Sequence, residues 1–317
     1  MRRRFVALKG RGDNMKYKQW LKQWLDDFVK PISKERTLIK YNQQIIKHIS
    51  PFLGEYELDE LSPHLLQRFM SYLIMRGLAT NTVKGIATII KLSLRRAVLL
   101  RLTEFQYSDA IVLPSAREKL VQSFNKREQR IIEDYVLDSK RKNFFGIIIS
   151  LYTGLRIGEL LALQWSDIDF VKARITVNKS CHDEWVDGKY RKVIGATKTA
   201  NSERTIPLPK QLLPRLRHLK RFSESDYVVS GRGVWGAEVR TYQRMFENLL
   251  KKLGIPHKGF HALRHTFATR ALEVGMDVKT LSEIMGHCDP TITLRRYAHS
   301  MMEHKTEMMN KVGKLFL

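Results

Sequence analysis

Apolar residues recur at helical spacing through most of this 317-residue chain, and they alternate at strand spacing mainly between Arg174 and Leu208. Spacings of three and four predict amphipathic helices, whereas a period of two predicts strands with one buried face. The first hundred residues carry no strand signal. The pattern therefore predicts a mainly α chain of the α+β class, with a small antiparallel β-sheet in its later part.

Two domains of ordinary size fit a chain of this length. We expect a basic disordered arm at 1–14, with Met15 as an alternative start, followed by a helical domain at 15–105. Periodicity is lost across 106–124, which is typical of an interdomain linker. Residues 125–317 then form the second domain, which contains the predicted sheet.

The formal net charge of +24 narrows the range of partners. A surplus of this size destabilises a compact protein by self-repulsion unless a polyanion is a regular partner. Nucleic acid is the first candidate and an anionic membrane surface the second. The basic start Met1–Arg4 is not followed by the apolar segment of a secretory signal, and Cys181 and Cys288 predict free thiols. We expect a cytoplasmic protein that binds nucleic acid.

A basic amphipathic helix is predicted from about Thr80 to Leu100. Its apolar residues, at helical spacing, can face a core. The polar and basic positions that remain for its outer faces are Thr82, Lys84, Lys91, Arg95 and Arg96. These residues are candidate phosphate contacts on DNA. A solvated charged face is the alternative interpretation.

The segment Thr153–Leu161 contains one arginine, Arg156, among mainly apolar residues. Gly154 lets the chain turn and a helix restarts near Glu159, so Arg156 lies at a helix start. Its guanidinium either pairs with Glu159 or holds a phosphate in a bidentate contact.

Turn signals divide the alternating stretch. Asp187-Gly188 predicts a hairpin, and Lys198 lies at or near a second hairpin tip before the strand that begins at Arg204. A lysine at such a tip is either solvated or placed near a scissile phosphate, where it could protonate a leaving oxygen.

Glycines at Gly231, Gly233 and Gly236 fit a dinucleotide-binding spacing. The bulky Trp235 stands where the backbone would have to approach a pyrophosphate, and no βαβ series surrounds the motif. We interpret it as a loop and expect no nucleotide cofactor.

Histidines cluster near the C-terminus. His261 and His265 are spaced as metal ligands on a helix, and His287 and Cys288 follow, so zinc has to be considered. Against zinc, the position after His261 is an alanine, where a zinc protease carries glutamate, and Arg264 puts a cation where a metal favours a carboxylate. We expect no metal, and we interpret His265 and Cys288 as structural.

Together these motifs resemble the tyrosine recombinases, the family of phage integrases. The segment Thr153–Leu161 resembles the first arginine motif of the family, and His261–Arg264 resembles the second. Met285–His287 resembles its leucine-glycine-histidine element, with methionine in place of leucine. Tyr297 matches the nucleophile and Lys198 the hairpin lysine. The helical N-terminal part is similar to the family's core-binding domain, and the second domain to its catalytic domain.

The resemblance implies a DNA strand transferase that needs neither metal nor ATP. Tyr297 would attack a phosphodiester and form a 3′-phosphotyrosine. Arg156 and Arg264 would hold the non-bridging oxygens, and Lys198 would be the acid for the leaving 5′ oxygen.

The remaining implied roles fall to imidazoles and one carboxylate. His287 would donate a hydrogen bond to the phosphate, and His261 would orient the phosphate or act as the base. Glu159 would support the site by positioning the second motif. The resemblance also implies a homotetramer, or an assembly with a related recombinase, on two double-stranded DNA sites. Accessory DNA-bending proteins are further expected partners, and the protein would lie in the bacterial cytoplasm on the nucleoid.

Three questions stay open at this level. The apolar tail after Tyr297 either docks on a neighbouring subunit or packs on its own domain. The outcome could be integration, excision, inversion or dimer resolution. A type IB topoisomerase and a non-catalytic DNA-binding protein on the same fold are the alternative functions.

Overall fold

The computed structural model describes residues 15–104, 111–113, 122–186, 189–196, 203–231, 236–286, 302–314 and 316. The chain divides into two compact units, Met1–Lys119 and Leu120–Leu317. This division falls inside the segment 106–124. The arm at 1–14 lies outside the described residues, and the proposed domain bounds stay a prediction.

The N-terminal unit is built from helices around one apolar core. Its helices are α1 (Tyr17–Trp24), α2 (Glu35–Gln44), α3 (Ser50–Leu53), α4 (Pro63–Met75) and α5 (Thr80–Leu99). Helices α1 and α2 run on into π-helical turns at Leu25–Val29 and Ile45–Ile49. At the start of α4 the Ser62 hydroxyl accepts the Leu65 N–H, which satisfies a donor of the first turn.

Helix α5 is the central element of this core. Its inward residues Ile86, Ile89, Ile90 and Leu94 are fully buried, which confirms the predicted apolar face. The buried Ser93 of α5 joins α1 through hydrogen bonds: its hydroxyl lies 2.8 Å from the hydroxyl of Tyr17, and its carbonyl accepts the indole N–H of Trp20 at 3.0 Å. Because these polar groups are paired, the aromatic side chains of α1 are buried without loss of hydrogen bonds.

The C-terminal unit combines helices with short strands. Its helices are α6 (Lys126–Asp138), α7 (Phe145–Thr153), α8 (Ile157–Ala162), α9 (Leu213–Arg221), α10 (Val239–Lys252), α11 (His261–Glu273), α12 (Val278–Met285) and α13 (Met302–Gly313). Its strands are β1 (Ile168–Asp169), β2 (Arg174–Val177), β3 (Lys179–Val186), β4 (Lys189–Ala196) and β5 (Arg204–Pro207). The predicted fold class, mainly α with antiparallel strands, is confirmed.

The strands form two sheets, whereas the alternation predicts one. In the first sheet β2 lies between β1 and β5, with Ile175 opposite Ile206. Among the described residues, the second sheet consists of β3 paired with β4, up to Val186 opposite Lys189. The predicted turn residues Asp187 and Gly188 lie outside the described part of the chain, so this turn stays a prediction.

Helix α7 is buried over nearly its whole surface. Phe145–Leu151 and Thr153 are all buried, and α11 packs against the helix. Full burial of an aliphatic side chain contributes about 1.5–3 kcal/mol. A helix with this many such side chains is a rigid support, and the two arginine motifs are attached to its C-terminal end and to α11.

The two cysteines and the membrane question complete the description of the fold. Cys181 is a buried free thiol, as predicted, and burial raises its pKa to about 11. Cys288 is outside the described ranges. Within those ranges, no helix has the length and apolar character needed to cross a membrane.

Candidate active site

The turn between α7 and α8 places Arg156. Helix α7 ends at Gly154, which has a left-handed backbone with φ of 66°. Arg156 is extended at the start of α8, and its backbone N–H donates to Oε2 of Glu159 at 2.9 Å. Its guanidinium donates to Oε1 of the same carboxylate at 2.8 Å. The structural pairing that the sequence allows is therefore formed.

Glu159 is shared by two arginines. Arg204, the first residue of β5, donates from Nη2 to Oε2 at 2.8 Å and from Nη1 to Oε1 at 3.2 Å. Burial alone would raise the pKa of the Glu159 carboxyl, but the hydrogen bonds and charges of Arg204 and Arg156 outweigh it and hold this pKa below its usual range. Glu159 is therefore a carboxylate at neutral pH.

Arg264 joins the ends of two helices. It lies on α11 and is 2% exposed. Its Nη1 donates to the carbonyl of Gly154 at 2.7 Å, and its Nη2 donates to the carbonyl of Met285 at 2.7 Å. The second arginine motif is thereby bound both to the turn that carries the first motif and to the last residue of α12.

The C-terminal end of α12 is the point where the three arginines meet. Successive carbonyls accept from different guanidinium groups: Ile284 from Arg204 at 2.6 Å, Met285 from Arg264 at 2.7 Å and Gly286 from Arg156 at 2.9 Å. The last carbonyls of a helix lack partners within it and carry partial negative charge, so cations are favourable there.

The predicted site residues are only partly covered by the described chain. Arg156, Glu159 and Arg264 are brought together at the end of α12. His261 is the exposed first residue of α11, three positions before Arg264, and its ring meets that of His265 edge-on with centroids 4.7 Å apart.

The other predicted site residues are outside the described ranges. These are Lys198, which precedes β5 in the chain, His287, which follows Gly286 directly, and Tyr297. In the described ranges no group of three or more histidine, cysteine or acidic residues is arranged to hold a metal ion.

Comparison with known proteins identifies the family. Residues 116–304 match the phage integrase family, and residues 16–74 match the phage integrase N-terminal SAM-like domain. The chain belongs to the phage integrase family. The tyrosine recombinase resemblance and the predicted enzyme class are thereby confirmed.

Relatives of this phage integrase family member extend along most of the chain. A protein named tyrosine recombinase XerC-like from Caldanaerobacter subterraneus subsp. tengcongensis is 28% identical, covering 93% of this chain and 82% of the relative. The ICEBs1 integrase of Bacillus subtilis is 28% identical over 86% of this chain and 77% of its own length. The Tn916 transposase of Enterococcus faecalis is 27% identical over 87% and 72%.

Solved integrase structures share the fold. The Tn1549 transposon integrase in complex with a circular intermediate DNA has a TM-score of 0.78 at 22% identity, covering 94% of this chain and 99% of that one. A lambda integrase tetramer bound to a Holliday junction has a TM-score of 0.66 at 19% identity, over 90% and 84%. Both likenesses support the fold of this chain.

The candidate DNA-contacting residues of this chain lie on α5. Lys91, Arg95 and Arg96 are exposed, while Thr82 and Lys84 are half-buried. The Arg96 guanidinium lies over the ring of Phe28, 4.7 Å from its centroid. The exposed cations can reach a phosphate backbone, and their role remains a prediction.

Arg204 is absent from the predicted site, although the sequence carries a signal for it. Residues of a strand point alternately to its two faces, and Ile206 is buried, so Arg204 shares the inward face. An inward cation needs a buried anion, and Glu159 stands in an otherwise apolar helix. Each signal alone is weak, and the pair forms only when β5 meets α8.

Proposed function

We propose that this chain is a site-specific tyrosine recombinase that cuts and rejoins DNA through a 3′-phosphotyrosine on Tyr297. The arrangement of Arg156, Glu159, Arg204 and Arg264 is the observation that carries the proposal. The three guanidinium groups and the single carboxylate of this set leave an excess of two positive charges. Such an excess, fixed in place by backbone carbonyls, suits an anionic centre on which charge builds during reaction.

The reaction starts with the phenol of Tyr297. A free tyrosine has a pKa of about 10, so its oxygen is a weak nucleophile until the proton is removed. We assign that proton to His261 as base. The phenolic oxygen bonds to phosphorus, the bond from phosphorus to the 5′ oxygen breaks, and Lys198 protonates the leaving oxygen.

Arginines stabilise the charge of the five-coordinate phosphorus. Arg156 is the more accessible of the two assigned arginines, with 36% of its side chain exposed. Arg264 is 2% exposed and lies beside the turn that carries Arg156, and we assign it the second phosphate contact. His287 donates a further hydrogen bond. The energy of the phosphodiester is kept in the adduct, so a 5′-hydroxyl of another duplex can attack the phosphorus, form a new phosphodiester and release the Tyr297 phenol, which exchanges the strands.

The proposed partner is double-stranded DNA, held by a core-binding domain at 15–105 and a catalytic domain at 125–317. The DNA complexes of the Tn1549 and lambda integrases support this substrate, and the lambda tetramer on a Holliday junction supports a tetrameric assembly. The names of the ICEBs1 integrase and the Tn916 transposase favour a mobile-element role. Accessory DNA-bending proteins and a location on the bacterial nucleoid complete the proposal.

The tail supports contact between subunits. Helix α13 exposes the apolar side chains of Met309 and Val312, and Phe316, three positions beyond the helix, is also exposed. Unbranched methionine adapts to irregular surfaces, which suits docking on a neighbouring subunit.

Covalent capture tests the proposed function. The full-length chain is incubated with sheared genomic DNA of its host in EDTA and without ATP, then denatured, and the attached fragments are sequenced. We expect fragments joined at a 3′ end that share one recurrent site. An absence of adduct, or an adduct that needs a divalent metal, would contradict the proposal.

A second assay separates recombination from topoisomerase activity. With two copies of the captured site on separate duplexes, we expect joint molecules. Relaxation of supercoiled plasmid without any joint product would indicate a type IB topoisomerase instead.

A further inference from the structure

Arg204 binds the same carboxylate as Arg156 but is much less exposed. Its side chain is 7% exposed, whereas that of Arg156 is 36% exposed. Strand pairing fixes its backbone, because β5 is hydrogen-bonded to β2 with Arg204 opposite Val177. Arg204 is thus a rigidly held cation beneath the surface of the site.

The guanidinium of Arg204 makes contacts in two directions. Toward α8 it donates to both oxygens of Glu159, at 2.8 and 3.2 Å. Toward α12 its Nε donates to the carbonyl of Ile284 at 2.6 Å. A planar guanidinium can serve both directions at once, which a lysine ammonium on a flexible stem does less well.

The packing around the guanidinium is close. A Cβ placed on Gly286 would come 3.0 Å from Nη1 and 3.1 Å from Cδ of Arg204. The glycine that ends α12 therefore rests against this side chain. Arg204 consequently helps to fix the backbone of Gly286, whose carbonyl accepts from Arg156.

Charge gives Arg204 a second effect on Arg156. Glu159 carries one negative charge and is bound by two arginines, so Arg156, Glu159 and Arg204 together carry one net positive charge. Without Arg204, the Glu159 carboxylate would face Arg156 alone, and a bidentate pair of zero net charge would form. A phosphate would then meet a neutral ion pair in place of a cation.

We propose that Arg204 is a positioning residue of the recombinase site: it engages the Glu159 carboxylate and the end of α12, so that the Arg156 guanidinium stays directed to the DNA phosphate. This inference rests on the proposed function and deepens it. Arg204 itself need not touch the DNA.

The test compares rate with affinity in the full-length chain. The probe is a nicked duplex carrying the captured site, on which covalent adduct accumulates. The variants are Arg204→Ala, Arg204→Ala with Glu159→Gln, and Arg174→Ala as a matched control. Arg174 lies in the same sheet on β2, in a half-exposed ion pair with Asp169 at 3.5 Å. The first-order rate of adduct formation at saturating protein, the affinity for the duplex and the melting temperature are measured for each.

Misplacement of a reacting group by about 1 Å costs roughly 100-fold in rate, so we expect Arg204→Ala to form adduct about 100-fold more slowly at unchanged DNA affinity. Adding Glu159→Gln removes the negative charge that would otherwise pair with Arg156 alone. This should restore the rate about tenfold, which corresponds to about 1.4 kcal/mol. Arg174→Ala should react at the wild-type rate. A role in folding alone would give no such rescue.

Three results would overturn the inference: a wild-type rate in Arg204→Ala, an equal loss of rate and affinity, or no rescue by Glu159→Gln. If Arg204→Ala does not fold, Arg204→Gln with and without Glu159→Gln gives the same comparison. A wild-type chain that forms no adduct would contradict the proposed function itself, whereas normal adduct formation by both wild type and Arg204→Ala would contradict only the role of Arg204.

Discussion

At the scale of single residues, Glu159 shows how the site is held together. It is a carboxylate in an otherwise apolar helix, and only 3% of its side chain is exposed. Burying an unpaired charge costs several kcal/mol, so the two arginines are needed to keep it ionised. The same pairing fixes both guanidinium groups, which links the stability of the unit to the geometry of its chemistry.

Glu159→Gln tests this link through pH. Since the pKa of Glu159 lies lower in the folded chain than in the unfolded chain, its charge stabilises the fold above the usual glutamate range, and this stabilisation is lost as pH falls through the folded value. We expect the variant to lose about 3 kcal/mol of unfolding free energy at pH 7, the cost of breaking a buried ion pair.

Urea unfolding of the full chain at pH 7 and at pH 3.5 provides the measurement. The difference between wild type and variant should narrow at the lower pH, because the unfolded wild-type chain takes up a proton at Glu159 and the stabilisation from the ionised folded form declines. A difference that is the same at both pH values would show that the Glu159 charge does not stabilise the fold.

At the scale of elements, the C-terminal end of α12 holds the three arginines of the site together. Gly286 has φ of 63°, which is unfavourable for residues with a Cβ, and it also lies against Arg204. Three arginines bind the carbonyls of this last turn. A small shift of the turn therefore moves the hydrogen-bond acceptors of the whole arginine set.

Gly286→Ala and Gly254→Ala form a matched pair for this element. Both glycines have nearly the same positive φ, 63° and 66°, but a Cβ on Gly254 meets nothing within 4 Å. Each substitution should cost about 1 kcal/mol from backbone strain. Only Gly286→Ala should also slow adduct formation, by about tenfold or more, because the Cβ displaces Arg204. Equal rates in the two variants would argue against a role for this close contact.

Local sequence patterns predicted individual helices and strands better than they predicted which elements pack together. The spacing of Ile86, Ile89 and Leu94 predicted the buried face of α5, and Gly154 correctly marked the turn that ends α7. Such features depend on near neighbours in the chain. The period of two likewise indicated strands.

The pairing of distant elements could not be predicted in this way. Arg204 and Glu159 are 45 positions apart, and their contact depends on β5 joining β2 instead of β4. Tertiary contacts decide which strand pairs with which, so one sheet was expected where two are formed. The two arginine motifs were identified because they stand in a recognisable order, whereas Arg204 was interpreted only as the first residue of the strand that follows Lys198.

At the scale of the whole molecule, the charge of +24 governs the encounter with DNA. Each phosphate neutralised by a cation releases counterions. The logarithm of the affinity therefore falls with the logarithm of the salt concentration, with a slope proportional to the number of phosphate contacts. The exposed cations of α5 are the predicted main source of these contacts in the N-terminal unit.

Replacing Lys91, Arg95 and Arg96 together by alanine tests that surface. We expect the slope of log affinity against log salt to become shallower by about 0.9 for each lost phosphate contact, with an unchanged rate of adduct formation at saturation. The control removes the exposed cations Lys30, Arg36 and Lys40 of the same unit, an equal loss of charge. Equal slopes for the two triple variants would show that α5 has no special role in DNA binding.

The central claim is that Tyr297 becomes covalently joined to DNA. Tyr297→Phe removes one hydroxyl oxygen and leaves the cationic site unchanged, so DNA affinity should stay at the wild-type level. The most direct measurement is the SDS-stable complex between the full-length chain and a labelled duplex. We expect adduct with the wild type and none with Tyr297→Phe, and persistence of the adduct in Tyr297→Phe would contradict the assignment of the nucleophile.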